Sequence, residues 1–377
     1  MWKTTEGSTG RLVQLCTGYF LFYVVTGVAV KYFTGRPELG YPGMKDVEYL
    51  AFNTIGGSLI CLGVVFALRW YKLQSNKLMT WGSLRLPREI LYIIPSGICT
   101  AIVIPTTTLM YLLPISVMVA MVIMRASVII IGRLVDAVQI RQGILKKRVY
   151  WEENFAVVFA IGAAAVNIFS VGKGDFEFVH SFAAMSILGS YILAYSIRIY
   201  IMNYYKNTRA KGVKLDNNGF FAIEQIAASF VMLAVGLALF HAPDWFGSTS
   251  SQLLLFHNSF VNPNSFWFWA VLVGMAYGMV AFFSVFIFMF KGRTATFAGL
   301  VNRLTSLVAG TTATLVSAIL FGGAFPKTQD WVSLGFIFVA VGFLSRAERK
   351  RMTELALSKE IEAVPFGKGL APAAQST

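Results

Sequence analysis

The chain has 377 residues, of which 56% are apolar and only 13% are charged, and its mean hydropathy is +0.64. Soluble domains typically carry about 25% charged residues, so this composition excludes an ordinary soluble domain and predicts an all-α polytopic membrane protein. The net charge of +14 would suit a nucleic-acid-binding protein. The basic residues, however, lie in short clusters between apolar runs, as on the cytoplasmic side of membrane proteins. We therefore expect membrane lipids, and no nucleic acid, among its partners.

Ten transmembrane helices are predicted from apolar segments of about 20 residues, the length that crosses a bilayer. In chain order these segments are 12–33, 48–70, 89–110, 114–135, 152–172, 179–203, 219–241, 265–290, 294–321 and 330–346. The first segment lacks a signal-peptidase cleavage site and is expected to remain as a span. Three cysteines, Cys16, Cys61 and Cys99, fall inside apolar segments without metal-ligand spacing. We expect them to be small buried residues, with no metal and no cofactor.

The distribution of lysine and arginine predicts the orientation of the chain. Connections on one side of the membrane carry 22 basic residues, and those on the other side carry 5. By the positive-inside rule both termini are therefore cytoplasmic. The longest external connection, 241–263, is predicted to be a covering loop, although a short interfacial helix around Leu253–Phe256 would also fit. Residues 347–377 are predicted to form a mobile cytoplasmic tail.

Ten spans divide into two halves of five, residues 1–172 and 173–346, which begin on opposite sides of the membrane. Such an arrangement is typical of inverted repeats in transporters. The fourth and ninth spans then occupy equivalent places, and each carries one arginine, Arg125 or Arg303. At 1.5 Å per residue, Arg125 lies about 16 Å from the outer end of its span and Arg303 about 14 Å from its inner end. Both arginines are therefore predicted near the middle of the membrane.

This organisation resembles the drug/metabolite transporter superfamily. The stretch 118–168 is similar to its EamA-like signature of the fourth and fifth helices, with an MRASVIIIGRL core, a basic turn at Lys146–Arg148, then Trp151, Gly162 and Asn167. A basic residue in the fourth and ninth helices is similar to the nucleotide-sugar and sugar-phosphate carriers, in which lysine is common at these places. The resemblance, over about residues 10–346, implies a secondary transporter. We expect the protein to be a monomer or a homodimer.

The two buried arginines are the leading candidates for a substrate site. Two guanidinium groups in a central cavity could bind a phosphate or carboxylate through paired hydrogen bonds. The alternative is a structural ion pair with Glu224, the only carboxylate well inside a span, which would still leave one arginine unpaired. Glu224 could also couple transport to protons or simply lie near the interface, and Arg198 is predicted to extend to the inner surface. Further predicted substrate-binding residues are Asn302, Tyr277, Thr107, Tyr111, Tyr23 and Asn53.

One glycine pair is expected to have a structural role. Gly274 and Gly278 have the spacing that allows two helices to approach closely. We therefore expect them at a helix–helix contact.

Catalysis is not expected, because the chain has no P-loop, HExxH or GxSxG motif. We expect a secondary transporter for an anionic, phosphate-bearing solute, such as a nucleotide sugar, a sugar phosphate or a phosphorylated lipid-linked sugar, which exchanges it for a related phosphate. Two alternatives remain open. One is a proton-coupled exporter of amino acids or drug-like metabolites, and the other is a membrane-embedded lipid-phosphate enzyme that uses Asp136, Glu152 or Glu153, although these carboxylates look like solvated loop charges. The absence of organelle-retention features favours a bacterial inner membrane.

Overall fold

The computed structural model describes residues 7–81, 84–112, 117–146, 148–168, 181–210, 212–247, 250–322 and 325–363. This part of the chain contains eleven α-helices: α1 (Thr9–Phe33), α2 (Asp46–Ala67), α3 (Ile90–Leu112), α4 (Val117–Arg141), α5 (Trp151–Ile168), α6 (Phe182–Asn207), α7 (Asn217–Phe246), α8 (Ser251–Val261), α9 (Trp267–Phe288), α10 (Ala295–Phe321) and α11 (Thr328–Ala363). Eight of them, α1, α2, α3, α6, α7, α9, α10 and α11, are long and apolar enough to cross a membrane. The protein is therefore an all-α polytopic membrane protein, as its composition predicts.

Within the described residues, each of the ten predicted segments overlaps a helix of at least 18 residues. The helices α4 and α5, which border parts of the chain outside the described residues, are not among the eight that meet the length and composition required for a span. One antiparallel hairpin follows α2, formed by β1 (Leu78–Trp81) and β2 (Leu84–Pro87), with Met79 opposite Leu86. It lies in a basic connection for which the sequence predicted no regular structure.

The structure differs from the sequence-based predictions in the connection at 241–263. The prediction of a plain covering loop at 241–263 is wrong, because α7 continues to Phe246 and α8 occupies Ser251–Val261. The alternative of a short helix around Leu253–Phe256 agrees with α8. Packing explains why α8 forms: the imidazole of His257 stacks on Phe240 with ring centroids 4.7 Å apart. The ring of Phe260 lies 5.5 Å from that of Phe52 in α2. The short apolar run is thus a helix held against α7 and α2.

The C-terminal helix also differs from its predicted extent. The last span was predicted to end near residue 346, but α11 continues to Ala363. Ala347, Glu348 and Arg351 are buried in this continuation, because they pack against other helices and form the ion pairs described below. Residues 364–377 of the predicted tail lie outside the described residues.

Helix α2 lies along α9 at a contact formed by glycines. A Cβ on Gly274 would overlap the backbone carbonyl of Asn53, and one on Gly278 would overlap the backbone of Gly57. On α2, a Cβ on Gly56 would overlap the carbonyl of Val271. The prediction that Gly274 and Gly278 serve close helix packing is therefore confirmed.

The other long helices pack in a regular set of pairs. Helix α3 lies against α6 and α7, α1 lies against α9 and α10, α4 lies against α6 and α10, and α5 lies against α11. The clustered lysines and arginines lie at the N-terminal ends of α1 and α3, at the C-terminal ends of α4, α6 and α9, and in the middle of α11. Contacts such as those of Thr9 with Glu348 and of Asn76 with Thr208 place them on one side of the protein, which we call the basic face.

Candidate functional site

The two arginines predicted to form the site lie on neighbouring helices, α4 and α10. These helices are antiparallel and close, because a Cβ on Gly132 would lie 3.0 Å from the carbonyl of Ala295, and one on Gly299 would lie 3.7 Å from that of Val128. The same register, continued three residues towards the N-terminus of α4, places Arg125 opposite residue 302, which is next to Arg303. The backbones of Arg125 and Arg303 therefore lie at one level of the helix pair.

The guanidinium group of Arg125 extends along α10. Its Nη2 atom lies 3.5 Å from the position that a Cβ on Gly310 would occupy. This direction follows from helix geometry, because side chains tilt towards the N-terminus of their own helix. Gly310 is seven residues beyond Arg303 and so shares its helix face. The positive charges are thus spread along about two turns of α10, roughly 10 Å.

Tyrosines from α1 and α6 surround the arginines. The guanidinium carbon of Arg303 lies 5.1 Å from the ring centroid of Tyr195, and the ring of Tyr195 lies 4.9 Å from that of Tyr191. Tyr19 of α1 lies close enough to both Arg303 and Arg125 to interact with each electrostatically. Such contacts between a cation and an aromatic ring are worth about 0.5–2 kcal/mol. This is far less than the free energy that the burial of a charged group costs, so the tyrosines do not replace a counter-ion.

Two donor atoms of Arg303 have no acceptor. Its Nε and Nη2 atoms are buried and lack a hydrogen-bond partner among the described residues. In the same part of the chain no ion pair joins a carboxylate to Arg303 or to Arg125. A buried arginine without a counter-ion is costly in a membrane protein and is typical of a functional site.

Glu224 is bound to a different arginine. Arg198 of α6 donates from Nε and Nη2 to the two carboxylate oxygens of Glu224 at 2.9 and 3.0 Å, and the hydroxyl of Ser96 donates to Oε1 at 2.6 Å. The prediction that Arg198 extends to the inner surface is therefore wrong. Its side chain is buried because α3 packs against both α6 and α7, so Ser96, Arg198 and Glu224 meet between the three helices.

The remaining predicted residues do not all reach the arginines. Tyr23 does lie nearby, since its ring is 5.5 Å from that of Tyr19. Asn302, predicted beside Arg303, is turned towards α9, where its Nδ2 donates to Ser284 Oγ at 3.0 Å, because neighbouring residues on a helix point in different directions. Thr107 donates to the carbonyl of Val103 in its own helix at 2.7 Å.

Two further predicted residues lie at the contact between α2 and α9. Asn53 accepts a hydrogen bond from the hydroxyl of Tyr49, at 3.4 Å within α2. The ring of Tyr277 lies 3.1 Å from the position of a Cβ on Gly57. The side chain of Tyr111 falls outside the part of the chain that the structure describes.

Sequence reasoning missed Tyr191 and Tyr195 as neighbours of Arg303. Their spacing of four residues places both on one face of α6, which is a signal that the sequence contains. Tyrosine is also common in apolar packing, however. Only the contacts of Tyr191 with Met124 of α4 and of Tyr195 with Arg303 of α10 show which face of α6 is turned to the arginines.

The acidic residues at the basic face are buried and bound. Asp136 accepts hydrogen bonds from the backbone N–H groups of Ala295 and Thr296, at 2.8 and 2.7 Å, at the start of α10. Glu153 accepts from the hydroxyl of Thr294 at 2.7 Å and pairs with Arg351 of α11 at 3.3 Å. A carboxylate at a helix N-terminus is stabilised by the backbone donors and the helix dipole.

The description of Asp136, Glu152 and Glu153 as solvated loop charges is therefore wrong, since each is only 1% exposed. Glu152 forms an ion pair with Lys350. A further buried pair joins Arg293 to Glu348, which also accepts a hydrogen bond from Thr9. These interactions connect α1, α4, α5, α10 and α11 at the basic face.

No group of three or more His, Cys, Asp or Glu residues that could hold a metal ion occurs within the described ranges. No protein-family model and no curated protein matches this chain. Among solved structures, one crystal structure of a protein aligns with 91% of this chain and 99% of its own length, at 13% sequence identity and a TM-score of 0.49.

Proposed function

We propose that this protein is a secondary transporter that carries an anionic, phosphate-bearing solute across the membrane by alternating access. The solute class would include nucleotide sugars, sugar phosphates and phosphorylated lipid-linked sugars. The observation that carries the proposal is the pair of arginines at one level of α4 and α10, neither of which has a carboxylate partner among the described residues.

The unpartnered atoms of Arg303 suit an oxyanion. Nε and Nη2 form the same edge of the guanidinium group that Arg198 presents to the carboxylate of Glu224. That edge can donate two parallel hydrogen bonds to a phosphate, the strongest geometry for this pair of groups. A bound phosphate would supply both the missing acceptors and the missing negative charge.

The spacing of the two arginines favours a solute larger than inorganic phosphate. Arg303 and the region of Gly310 reached by Arg125 are separated by about two helical turns, roughly 10 Å. A single phosphate is too small to neutralise both charges. The tyrosine rings of Tyr19 and Tyr195 offer apolar surfaces for an attached sugar or base.

The helix packing supports ten spans in two inverted halves. If α1–α5 correspond in order to α6, α7, α9, α10 and α11, the most extensive helix–helix contacts each have a counterpart. The α2–α9 contact corresponds to α3–α7, α3–α6 to α1–α9, and α1–α10 to α4–α6. The α4–α10 and α5–α11 contacts correspond to themselves, so an approximate two-fold axis would pass near Arg125 and Arg303. Substrate sites of transporters with inverted repeats lie on such an interface.

The ion pairs at the basic face would serve as a closed gate in the transport cycle. Glu153–Arg351, Glu152–Lys350 and the hydrogen bond from Thr9 to Glu348 each join the first half to the second. Arg209, from the connection after α6, pairs with Glu89 at the start of α3 at 2.9 Å. For the protein to open towards the basic face, these contacts must break. Arg125 and Arg303 then become accessible from that side.

No specific observation favours the two alternative functions. The carboxylate of Glu224 accepts hydrogen bonds from Arg198 and Ser96. In a proton-coupled exporter that uses Glu224, its ion pair with Arg198 would have to break. The candidate enzyme residues Asp136, Glu152 and Glu153 are bound to the α10 N-terminus or to basic side chains.

Transport by purified protein in proteoliposomes tests the proposal. We expect counterflow of a phosphorylated solute found by a thermal-shift screen, and loss of at least 90% of it in both Arg125→Gln and Arg303→Gln. The matched control is Arg133→Gln, which removes an equal charge from α4 at a position where Arg133 donates a solvent-exposed hydrogen bond to Asn154. Full activity of both site variants would refute the arginine site, and turnover of substrate in detergent without vesicles would refute transport as the function.

A further inference from the structure

A groove runs along α1 from the basic face towards the middle of the membrane. It has a volume of about 940 Å³ and is bounded by α1, α10 and α11. On α1 its lining begins at Thr9 and ends at Phe20, a rise of about 16 Å at 1.5 Å per residue. This length equals roughly half of the 30 Å hydrocarbon thickness of a bilayer. The groove is therefore as long as one leaflet.

The chemistry of the lining changes along the groove. Polar and charged residues, including Thr9, Glu348, Arg349 and Thr353, lie at the basic-face end. The deeper part is lined mainly by aliphatic side chains: Leu12, Val13, Val301, Leu304, Val308 and Val341. Val13 and Val341 are 57% and 40% exposed at the protein surface, so the groove is open to the side that would face lipid.

The polar end of the groove has unbalanced positive charge. The carboxylate of Glu348 is already paired with Arg293 and accepts a hydrogen bond from Thr9. Arg349 is exposed and forms no ion pair within the described chain. Arg11 lies in the first turn of α1, which contains no acidic residue. The charge at this end therefore suits an anion.

We propose that this groove binds an anionic phospholipid of the leaflet at the basic face. Its phosphate lies at Arg349 beside the start of α1, and one acyl chain lies along Leu12, Val13 and Val308 towards Phe20. An anionic glycerophospholipid has the polarity gradient, the length and the charge that the groove requires. This binding site is separate from Arg125 and Arg303 and does not depend on the proposed transport function.

Native mass spectrometry of the purified protein with equal amounts of dioleoyl phosphatidylglycerol and dioleoyl phosphatidylcholine tests the inference. We expect the wild type to retain phosphatidylglycerol in preference. Arg349→Ala should weaken this preference about fivefold, the effect of one basic residue near an anionic lipid surface. The matched control is Arg141→Ala, an exposed arginine at the basic-face end of α4, and it should leave the preference unchanged.

Filling the apolar part of the groove provides a second, independent test. Val341→Trp and Thr17→Phe should each reduce the number of retained phosphatidylglycerol molecules by one, while Val158→Trp on the exposed surface of α5 should not. Equal retention of the two lipids by the wild type, or equal lipid counts in Val341→Trp and Val158→Trp, would overturn the inference. So would a loss of dimer in Val341→Trp with no change in bound lipid, because the groove would then be covered by a second copy of the chain.

Discussion

Arg198 and Glu224 form a buried, two-fold hydrogen-bonded ion pair, with Nε–Oε1 and Nη2–Oε2 distances of 2.9 and 3.0 Å. This pair determines how the other membrane-embedded charges are interpreted. Glu224 was the carboxylate that could have neutralised Arg125 or Arg303, but it is paired with Arg198. Arg125 and Arg303 thus have no carboxylate partner among the described residues, and this is the basis of the proposed anion site.

Breaking this ion pair is expected to destabilise the protein. Glu224→Gln leaves the buried guanidinium group of Arg198 without its counter-ion, and such changes cost about 3–5 kcal/mol. The measurement is thermal unfolding in detergent, followed with a thiol-reactive fluorophore that labels Cys61 and Cys99, both buried in the fold. Glu38→Gln, at an exposed glutamate, is the control and should unfold like the wild type. A stable Glu224→Gln variant that lost pH-driven transport would instead support proton coupling.

Removing Arg303 is expected to have the opposite effect on stability. Arg303→Met replaces a buried cation that has two unpartnered donors with an apolar side chain of similar length. Replacing buried ionic groups by apolar residues of similar volume is often neutral or stabilising, and Arg303→Met leaves no carboxylate of the described residues unpaired. We expect the unfolding temperature to rise while solute counterflow is lost.

Arg198→Met is the matched comparison for Arg303→Met, because it also removes one buried arginine but leaves Glu224 unpaired. It should lower the unfolding temperature in the same assay. If both variants changed stability in the same direction, Arg303 would have a structural partner comparable to Glu224.

The glycine contact between α2 and α9 should not tolerate a methyl group. Gly274→Ala places a Cβ on the backbone carbonyl of Asn53, so the two helices must separate. Overpacking of this kind costs about 1–3 kcal/mol. Gly236→Ala on α7, where a Cβ would meet no atom within 4 Å, is the control. Equal thermal unfolding of the two variants would show that the close approach is not needed for stability.

The connection before α3 should depend on pH through Glu89. Burial alone would raise the pKa of Glu89, but hydrogen bonds from the Asn76 N–H and the Ser75 hydroxyl, with the charge of Arg209, lower it below its ordinary value. A carboxylate with a lowered pKa stabilises the fold above its unfolded pKa, near 4.3, and this contribution disappears as the pH falls through the folded value.

Hydrogen exchange of residues 74–89, corrected for intrinsic rates, measures this effect. We expect protection at pH 7 that decreases below about pH 4. Glu89→Gln should already lack this protection at pH 7, whereas Glu38→Gln should behave like the wild type. Protection that is independent of pH in the wild type would contradict a role for the ionised carboxylate.

The membrane class and the positions of the long helices could be predicted because they depend on local properties of the chain. A run of about 20 apolar residues cannot expose its backbone polar groups to lipid, so it must form a helix. The arginines could be singled out for the same reason, since a charge inside such a run is costly wherever the helix lies. The spacing of Gly274 and Gly278 likewise predicted a close helix contact.

Pairing between distant residues could not be predicted. Arg198 and Glu224 are 26 residues apart on different helices, and only the packing of α6 and α7 with α3 makes them partners. The contact of Asn302 could not be predicted either. Asn302 is adjacent to Arg303 in the chain, but adjacent residues on a helix point in different directions, so its side chain contacts a different helix. The same applies to Asp136, Glu152 and Glu153, whose burial depends on helices more than 100 residues later.

By itself, then, the sequence determined that the chain enters a membrane, where its helices run and which two cations are anomalous. These properties depend on the transfer of each segment from water to lipid, which adjacent residues decide. The tertiary structure alone decided which charges have an ion-pair partner within the described ranges, because an ion pair depends on a separation of a few ångströms between helices. That distinction separates Arg198 from Arg125 and Arg303.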